Sequence, residues 1–334
     1  MIQIIDNVKH INVDQWETLI SHSSTSSFFQ TKACYDFYKS LSFFEAFIFA
    51  VCEKDILKGV IIGYIQKDNN TIKHFFTRRA IIPGGVLLAD EISEQALESL
   101  LIHCKNALIK KTIYIECRNY TDYSKYINVF KDSGFRFVPH LNFHVNCEDE
   151  NVMHKRISAS KLRQIKKSLK SGAEIIIADS EKQVEDFYEI LKDLYDNKVK
   201  TPLFPKTYFI EFFKQKIGIY LLVEYKEEII GGIMCPIIDN KVIYEMFVAG
   251  KDGQYKDIYP SILATYAAMK YANRHNIKRF DFMGAGKPDE AYGVREFKAK
   301  FGGELVEHGR FLCVLHPLLY QIGKIGVKIL KAFS

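Results

Sequence analysis

Apolar positions along this chain fall into blocks of helical and strand spacing, and the blocks occur twice in one order. Residues 14–21 read as a helix opened by the acidic Asp14 just before Trp16, and 31–41 read as a second helix. Three β-rich runs follow at 44–52, 56–65 and 72–82, bounded by turn residues such as Asp68-Asn69-Asn70 and Pro83-Gly84-Gly85. A helix over 92–110, a strand over 112–117, a helix over 123–133 and a long strand over 135–146 complete the first set. The second set begins with a helix over 181–198, a break at Pro202-Leu203-Phe204-Pro205 and a helix over 206–216. Strands follow at 219–224, 229–238 and 241–249, then a helix over 260–276, a strand over 279–282, a helix over 294–300 and a strand over 304–315.

Each half thus reads α-α-β-β-β-α-β-α-β, which predicts a duplicated α/β domain with a mixed sheet. Three antiparallel strands, a helical crossover and a further strand are the plan of the GNAT acyltransferase fold. The expected domains are 1–150, completed by 316–334, and 151–315, and no long heptad run separates them.

Composition narrows the class. The 334 residues are 48% hydrophobic and 26% charged, which suits packed cores and excludes disorder. The N-terminus has no basic region before an apolar run, and no stretch reaches the ~18 unbroken apolar residues needed to span a bilayer. The seven cysteines are scattered and form no C-x-x-C pair, so neither a disulfide framework nor a zinc site is expected. A reducing, cytoplasmic setting fits. The net charge of +6 permits an anionic partner without naming one.

Several segments resemble the Fem family of aminoacyl transferases, which build peptidoglycan cross-bridges. Ser27-Phe28-Phe29-Gln30, followed by an aromatic-rich helix ending in Lys39, is similar to the family's opening helix, with Cys34 and Tyr35 where tryptophans are usual. Tyr259-Pro260, a helix, and Asp281-Phe282-Met283-Gly284-Ala285-Gly286 resemble its proline, helix and Asp-Phe-aromatic-Gly segment. Gly293-Val294-Arg295-Glu296-Phe297-Lys298-Ala299-Lys300-Phe301-Gly302 resembles its closing Gly-Leu-x-x-Phe-Lys-x-x-Phe-Gly motif. The basic helix from Lys155 to Lys170 sits where members carry an Arg-rich helix. The resemblance covers nearly the whole chain and includes related acyltransferases of polysaccharide and lipid pathways.

Acyl transfer passes through a tetrahedral oxyanion, which preorganised positive charge stabilises. The resemblance implies that Lys298, after Phe297, stabilises that oxyanion or orients the acyl donor; the bland alternative is a surface lysine. Gly284 and Gly286 follow a strand, where backbone approaches a ligand closely or simply turns with positive φ. Asp281 either orients a ligand or a lysine, or caps the strand end. Between Asn151 and Ala173 there are seven Lys or Arg and no acid. With Leu162, Ile165 and Leu169 at helical spacing, the cations are expected on the opposite face, either solvated or binding phosphate. Arg156 and Arg163 are the expected phosphate contacts, because guanidinium forks match phosphate oxygens. Acceptor phosphates are expected near Lys39 and this helix, between the copies.

A GNAT acetyltransferase holds CoA with Gln/Arg-x-x-Gly-x-Gly/Ala, whereas 251–260 reads Lys-Asp-Gly-Gln-Tyr-Lys-Asp-Ile-Tyr-Pro and lacks the later glycines. That favours an aminoacyl-tRNA donor over acyl-CoA, with no tightly bound cofactor and no metal. The expected function is transfer of an aminoacyl or acyl group to an amine of a nucleotide- or lipid-linked cell-envelope precursor. The alternatives are an acyl-CoA-dependent N-acetyltransferase and a non-catalytic scaffold on a degenerate twin fold. The tail 316–334 reads as a basic amphipathic helix, with Leu318, Leu319, Ile322, Ile325, Ile329, Leu330 and Phe333 on one face and Lys324, Lys328 and Lys331 beside it. It either packs on the first domain, as the resemblance implies, or makes peripheral membrane contact through 318–333.

Overall fold

The computed structural model describes residues 1–66, 78–199 and 201–332. The expected turn at 68–70, the first half of the strand expected over 72–82, and the tail side chains from Lys328 to Phe333 lie outside the described residues. The chain forms two compact units, Met1–Pro139 with His308–Ser334, and His140–Glu307.

The strands of the first stretch are β1 (Ile2–Ile5), β2 (Phe44–Glu53), β3 (Ile56–Gln66), β4 (Arg79–Gly84), β5 (Leu87–Leu88), β6 (Tyr114–Asn119) and β7 (Arg136–Val138). Those of the second are β8 (Leu141–Asn146), β9 (Glu174–Ile177), β10 (Gly218–Tyr225), β11 (Glu228–Ile238), β12 (Val242–Tyr244), β13 (Phe247–Gly250), β14 (Arg279–Asp281) and β15 (Glu304–Glu307), and β16 (Arg310–Val314) follows. The helices used below are α1 (Val13–His22), α2 (Lys32–Ser40), α3 (Glu94–Leu108), α4 (Ile127–Asp132), α5 (Glu150–Arg156), α6 (Ala159–Lys170), α7 (Glu181–Leu194), α8 (Lys206–Lys214), α9 (Pro260–Arg274), α10 (Gly293–Ala299) and α11 (Pro317–Ala332).

One sheet runs β1-β2-β3-β4-β6-β16-β7 with β5 on β3; the other runs β9-β10-β11-β12-β14-β8-β15 with β13 on β11. They are one sheet built twice. In each, a single parallel pair, β4 with β6 and β12 with β14, follows the helical crossover, and the other pairings are antiparallel. The duplicated α/β plan read from the element order is present in both units.

The sixth place in the first sheet is filled by β16, from far along the chain, and that in the second by β8, which directly follows β7 in sequence. The run 135–146, expected as one strand, breaks at Pro139-His140 into β7 and β8, which join different sheets. The run 304–315 breaks likewise at His308-Gly309 into β15 and β16. Proline has no N–H to continue a ladder. Gly309 has φ 62°, and a Cβ there would lie 2.2 Å from Phe137 Cζ. The chain therefore passes between units at 139/140 and 307/308, where the sequence suggested 150/151 and 315/316. The run 241–249 also divides, at Glu245-Met246: β12 stays beside β14 while β13 pairs with β11 alone.

Each unit has its own core. In the first, Leu97, Leu100, Leu101 and Cys104 of α3 pack on Val51, Ile61, Ile82 and Ile115 of the sheet. Phe311 of β16 stacks on Phe130 of α4 with centroids 3.9 Å apart. In the second, Leu263, Ala268 and Met269 of α9 pack against Ile230, Ile243 and Phe280. All seven cysteines are buried free thiols.

A charged cluster fixes the returning strand. Arg310 Nη1 lies 2.6 Å from one oxygen of Glu116 on β6, and Arg118 Nη2 lies 3.0 Å from the other. Burial alone would raise the Glu116 carboxyl, but the two guanidiniums outweigh it and bring it down to about 2. A depressed carboxyl stabilises the fold above its unfolded value and loses that contribution as pH falls toward its folded value. Denaturant unfolding of the first unit should therefore weaken between about pH 4.5 and 2, and Glu116→Gln should flatten that limb. Phe311→Ala, which empties a fully buried ring site, should cost about 3–5 kcal/mol in the same measurement.

Candidate functional site

The site grows from the turn that leaves β14. Asp281, fully buried at the strand end, accepts the Met283 N–H on Oδ1 at 2.7 Å and the Asn142 amide at 2.7 Å. Asn142 Oδ1 in turn accepts the Gly284 N–H at 2.8 Å. His144 Nε2 lies 3.0 Å from Asp281 Oδ2. Asn142 and His144 both come from β8, the strand that breaks from β7. Burial pushes the Asp281 carboxyl up, yet the facing His144, with Arg279 and Asn142, holds it below its ordinary value.

Backbone geometry explains the glycines. Met283, Gly284 and Gly286 have φ of 57°, 139° and 78°, so the chain turns through left-handed conformations that favour glycine. Arg295 of α10 ties the far side down, its Nε donating to Ala285 O at 2.8 Å.

Lys298 closes the turn from α10. Its ammonium donates to Phe282 O at 2.7 Å and Gly284 O at 2.9 Å, and it lies 3.3 Å from Glu245 Oε1. The ammonium is thus partnered three times and recessed. Glu245 occupies the break between β12 and β13; its N–H donates to Asp281 O at 2.9 Å, and its other oxygen accepts the Thr265 hydroxyl of α9 at 3.1 Å. Burial raises the Glu245 carboxyl, against the pull of Lys298 and Thr265.

The structure therefore brings Asp281, Gly284, Gly286, Phe297 and Lys298 together. Arg156 and Arg163 are exposed on α5 and α6 of the same unit, and Lys39 is exposed in the last turn of α2 of the first unit. The expected face of α6 is corrected. Its buried side is Lys161, Ile165 and Ser168, while Leu169 is 44% exposed. Leu162 is only partly buried, because the helix meets α9 with Ser168, whose hydroxyl receives the Tyr259 N–H at 2.9 Å. Lys161 sits over Phe297, its ammonium 3.8 Å from the ring centroid.

Sequence reasoning missed Glu245, Thr265, Asn142, His144 and Lys161. Glu245 carried a signal, as the one acid within the apolar run 242–249. Lys161 carried none, since Leu162 and Leu169 offered a rival apolar stripe.

The place where a CoA diphosphate would need the start of the crossover helix is filled by a carboxylate. Asp252 Oδ1 accepts the Ser261 N–H at 3.2 Å and its other oxygen takes the Ser261 hydroxyl, which caps α9. An adjoining cavity of about 480 Å³ is lined, among the described residues, by Asp186, Glu189, Asp193, Glu227, Glu228 and Asp252 against Lys198 and Lys251. Among the described residues no group of three His, Cys, Asp or Glu side chains is placed to hold a metal ion, and no helix is long and apolar enough to cross a membrane.

Residues 223–326, which carry the Glu245, Asp281 and Lys298 cluster, match the FemAB family. Over that segment, less than half of the chain, the sequence resembles the family. A lipid II:glycine glycyltransferase of Staphylococcus haemolyticus is 32% identical over 125 residues, a match spanning 36% of this chain and 27% of that protein. The fold of this chain matches the crystal structure of FemX with a TM-score of 0.73 at 16% identity, over 96% of this chain and 99% of that one. It also matches a tandem GNAT protein of the clavulanic acid pathway with a TM-score of 0.60 at 10% identity, over 94% and 99%.

Removing one member of a buried ion pair strands the other, at a cost of about 3–5 kcal/mol. Lys298→Met should show that loss in denaturant unfolding of the second unit at neutral pH. The loss should shrink as pH falls and Glu245, whose carboxyl burial already raises, takes up a proton. Adding Glu245→Gln to Lys298→Met should restore part of the stability.

Proposed function

We propose that this chain transfers an aminoacyl group from aminoacyl-tRNA to an amine of a peptidoglycan precursor. The observation that carries the reading is the Lys298–Glu245 pair at the split between β12 and β13, in the segment that matches the family. The acceptor amine attacks the ester carbonyl, the carbonyl oxygen gains negative charge, and the adduct collapses to an amide as the ester C–O bond breaks, the amine's proton passing to the ribose oxygen, which leaves as a hydroxyl. Lys298 keeps a fixed positive charge at the turn where that oxygen develops. Direct contact with the oxyanion requires it to exchange its longest interaction, 3.3 Å to Glu245, for the new oxygen. Orienting the donor through the carbonyls of Phe282 and Gly284 requires no exchange.

Two features favour tRNA over CoA as donor. The Asp252 carboxylate accepts from the first turn of α9, and the cavity beside it is walled mainly by carboxylates, both of which repel a diphosphate. The test is transfer of a radiolabelled amino acid to a precursor from charged tRNA, run beside labelled acetyl-CoA. Transfer from tRNA alone is expected, with Lys298→Met lowering turnover by about a hundredfold or more. Transfer from acetyl-CoA alone, or none from either, overturns the reading.

A lipid-linked acceptor is favoured by α11. One side rests on the first unit, with Tyr320 edge-on to Tyr114 at 5.2 Å. The other side leaves Leu318, Ile322 and Ile325 exposed at 82%, 51% and 57%. No acid occurs from residue 308 to the end, while Lys324, Lys328 and Lys331 recur. This combination suits an anionic bilayer surface. Ile322→Glu with Ile325→Glu should abolish sedimentation with phosphatidylglycerol vesicles and leave the melting temperature unchanged; retained sedimentation contradicts the assignment.

A further inference from the structure

Thr265 lies in the second turn of α9 with no exposed surface, on a helix that also buries Ile262, Leu263, Ala264, Ala268 and Met269. A hydroxyl withdrawn from water is costly unless it is hydrogen-bonded. A helical threonine commonly gives its proton to the carbonyl one turn back. Thr265 gives it instead to Glu245 Oε2, at 3.1 Å and 20 residues away in sequence. Glu245 is therefore held from two sides, because its Oε1 faces the Lys298 ammonium of α10 at 3.3 Å. The other titratable groups that face it are Asp281 of β14, which opposes its charge, and the buried Cys235 thiol of β11. Burial raises the Glu245 carboxyl, while Lys298 and Thr265 pull it down.

The duplicated fold supplies an internal comparison. The crossover helix of the first unit, α3, buries Ala96, Leu97, Leu100, Leu101, Cys104 and Leu108, with no hydroxyl among them. The break between β4 and β5 in that unit is made by the neutral Gly85 and Val86. The buried hydroxyl thus accompanies the buried carboxylate, in the copy that has one.

We propose that Thr265 is a positioning residue for acyl transfer, acting through Glu245 on Lys298. The proposal rests on the acyl-transfer reading for the reaction that Lys298 serves. Its hydroxyl fixes the carboxylate, and the carboxylate fixes the ammonium beside the carbonyls of Phe282 and Gly284. When Lys298 exchanges Glu245 for a developing oxyanion, a buried carboxylate loses one partner. The charge-assisted bond from Thr265 stays on it and limits the cost of that exchange. Without the hydroxyl, the ionised form of Glu245 loses a donor, and the carboxyl takes up its proton at higher pH. The competing account is that Thr265 merely fills its place in the packing of α9.

Two substitutions separate the accounts. Valine keeps the shape of threonine without the hydroxyl, and serine keeps the hydroxyl without the methyl. Wild type, Thr265→Val and Thr265→Ser are compared as full chains, by aminoacyl-transfer kinetics and by nitrogen-15 NMR of the Lys298 ammonium across pH. Loss of the signal in Lys298→Met assigns it. Thr265→Val should lower kcat about tenfold with KM unchanged, and its rate should decline at higher pH on the acid side. Its Lys298 signal should inflect at higher pH as well, where Glu245 takes up its proton. Thr265→Ser should follow wild type in kcat, pH profile and inflection. A packing role predicts the reverse, with serine impaired and valine intact. That pattern overturns the proposal, as does an equal loss in both variants or an inflection that Thr265→Val leaves unmoved. Should Thr265→Val not fold, Thr265→Cys, whose thiol is a weak donor, takes its place under the same criteria. If wild type transfers nothing, the acyl-transfer reading falls, and the inflections alone decide whether Thr265 sets the Glu245–Lys298 pair.

Discussion

Charge balance around one buried turn governs the second unit. Asp281 and Glu245 are both buried carboxylates, and each would be costly without its partners. Asp281 is met by His144 and Asn142, and Glu245 by Lys298 and Thr265. The same ammonium binds the carbonyls of Phe282 and Gly284, so ion pair and backbone turn are fixed together. The turn uses left-handed conformations at Met283, Gly284 and Gly286, which the surrounding contacts must sustain. Loss of Lys298 would release carboxylate, turn and α10 at once.

The duplicated fold makes this arrangement informative, because the first unit meets the same demand without charge. There the break between β4 and β5 falls at Gly85-Val86. Tyr123 donates to Val86 O at 2.7 Å, and the Gln30 amide donates to Gly84 O at 3.0 Å. A Cβ on Gly85 would lie 2.5 Å from the Tyr123 hydroxyl, so the space is closed by the ring. The same sheet position holds neutral packing in one copy and a buried ion pair in the other. Exchange of the sixth strand also matters chemically, since β8 delivers Asn142 and His144 to Asp281.

Much of this was legible in the sequence, for identifiable reasons. β-rich runs such as 56–65 and helices such as the one over 92–110 declare themselves locally, and their repetition exposed the duplication. The Phe297-Lys298 motif marked the site through resemblance. What stayed hidden depends on long-range pairing. Whether β7 and β8 are one strand or two is decided by which sheet each joins, and Pro139 alone does not say. The edge strands β1 and β9 are four residues each, too short to show a period. The buried side of α6 is set by contact with α9 and Phe297, which overrides an equally regular Leu162–Leu169 stripe. The turn glycines were recognisable, but the choice between ligand approach and left-handed turning needed their φ values.

The central claim is that Lys298, set by Glu245, stands where negative charge develops during acyl transfer. It is tested most directly by a crystal structure of the chain with a phosphonate analogue of the tetrahedral intermediate joined to a short RNA 3′ end. The account predicts a phosphonate oxygen at the 281–286 turn, either hydrogen-bonded to Lys298 Nζ with the Glu245 contact lengthened, or held beside the Phe282 and Gly284 carbonyls that Lys298 fixes. A phosphonate seated at the start of α9 in place of Asp252, or one bound away from the turn, would contradict it.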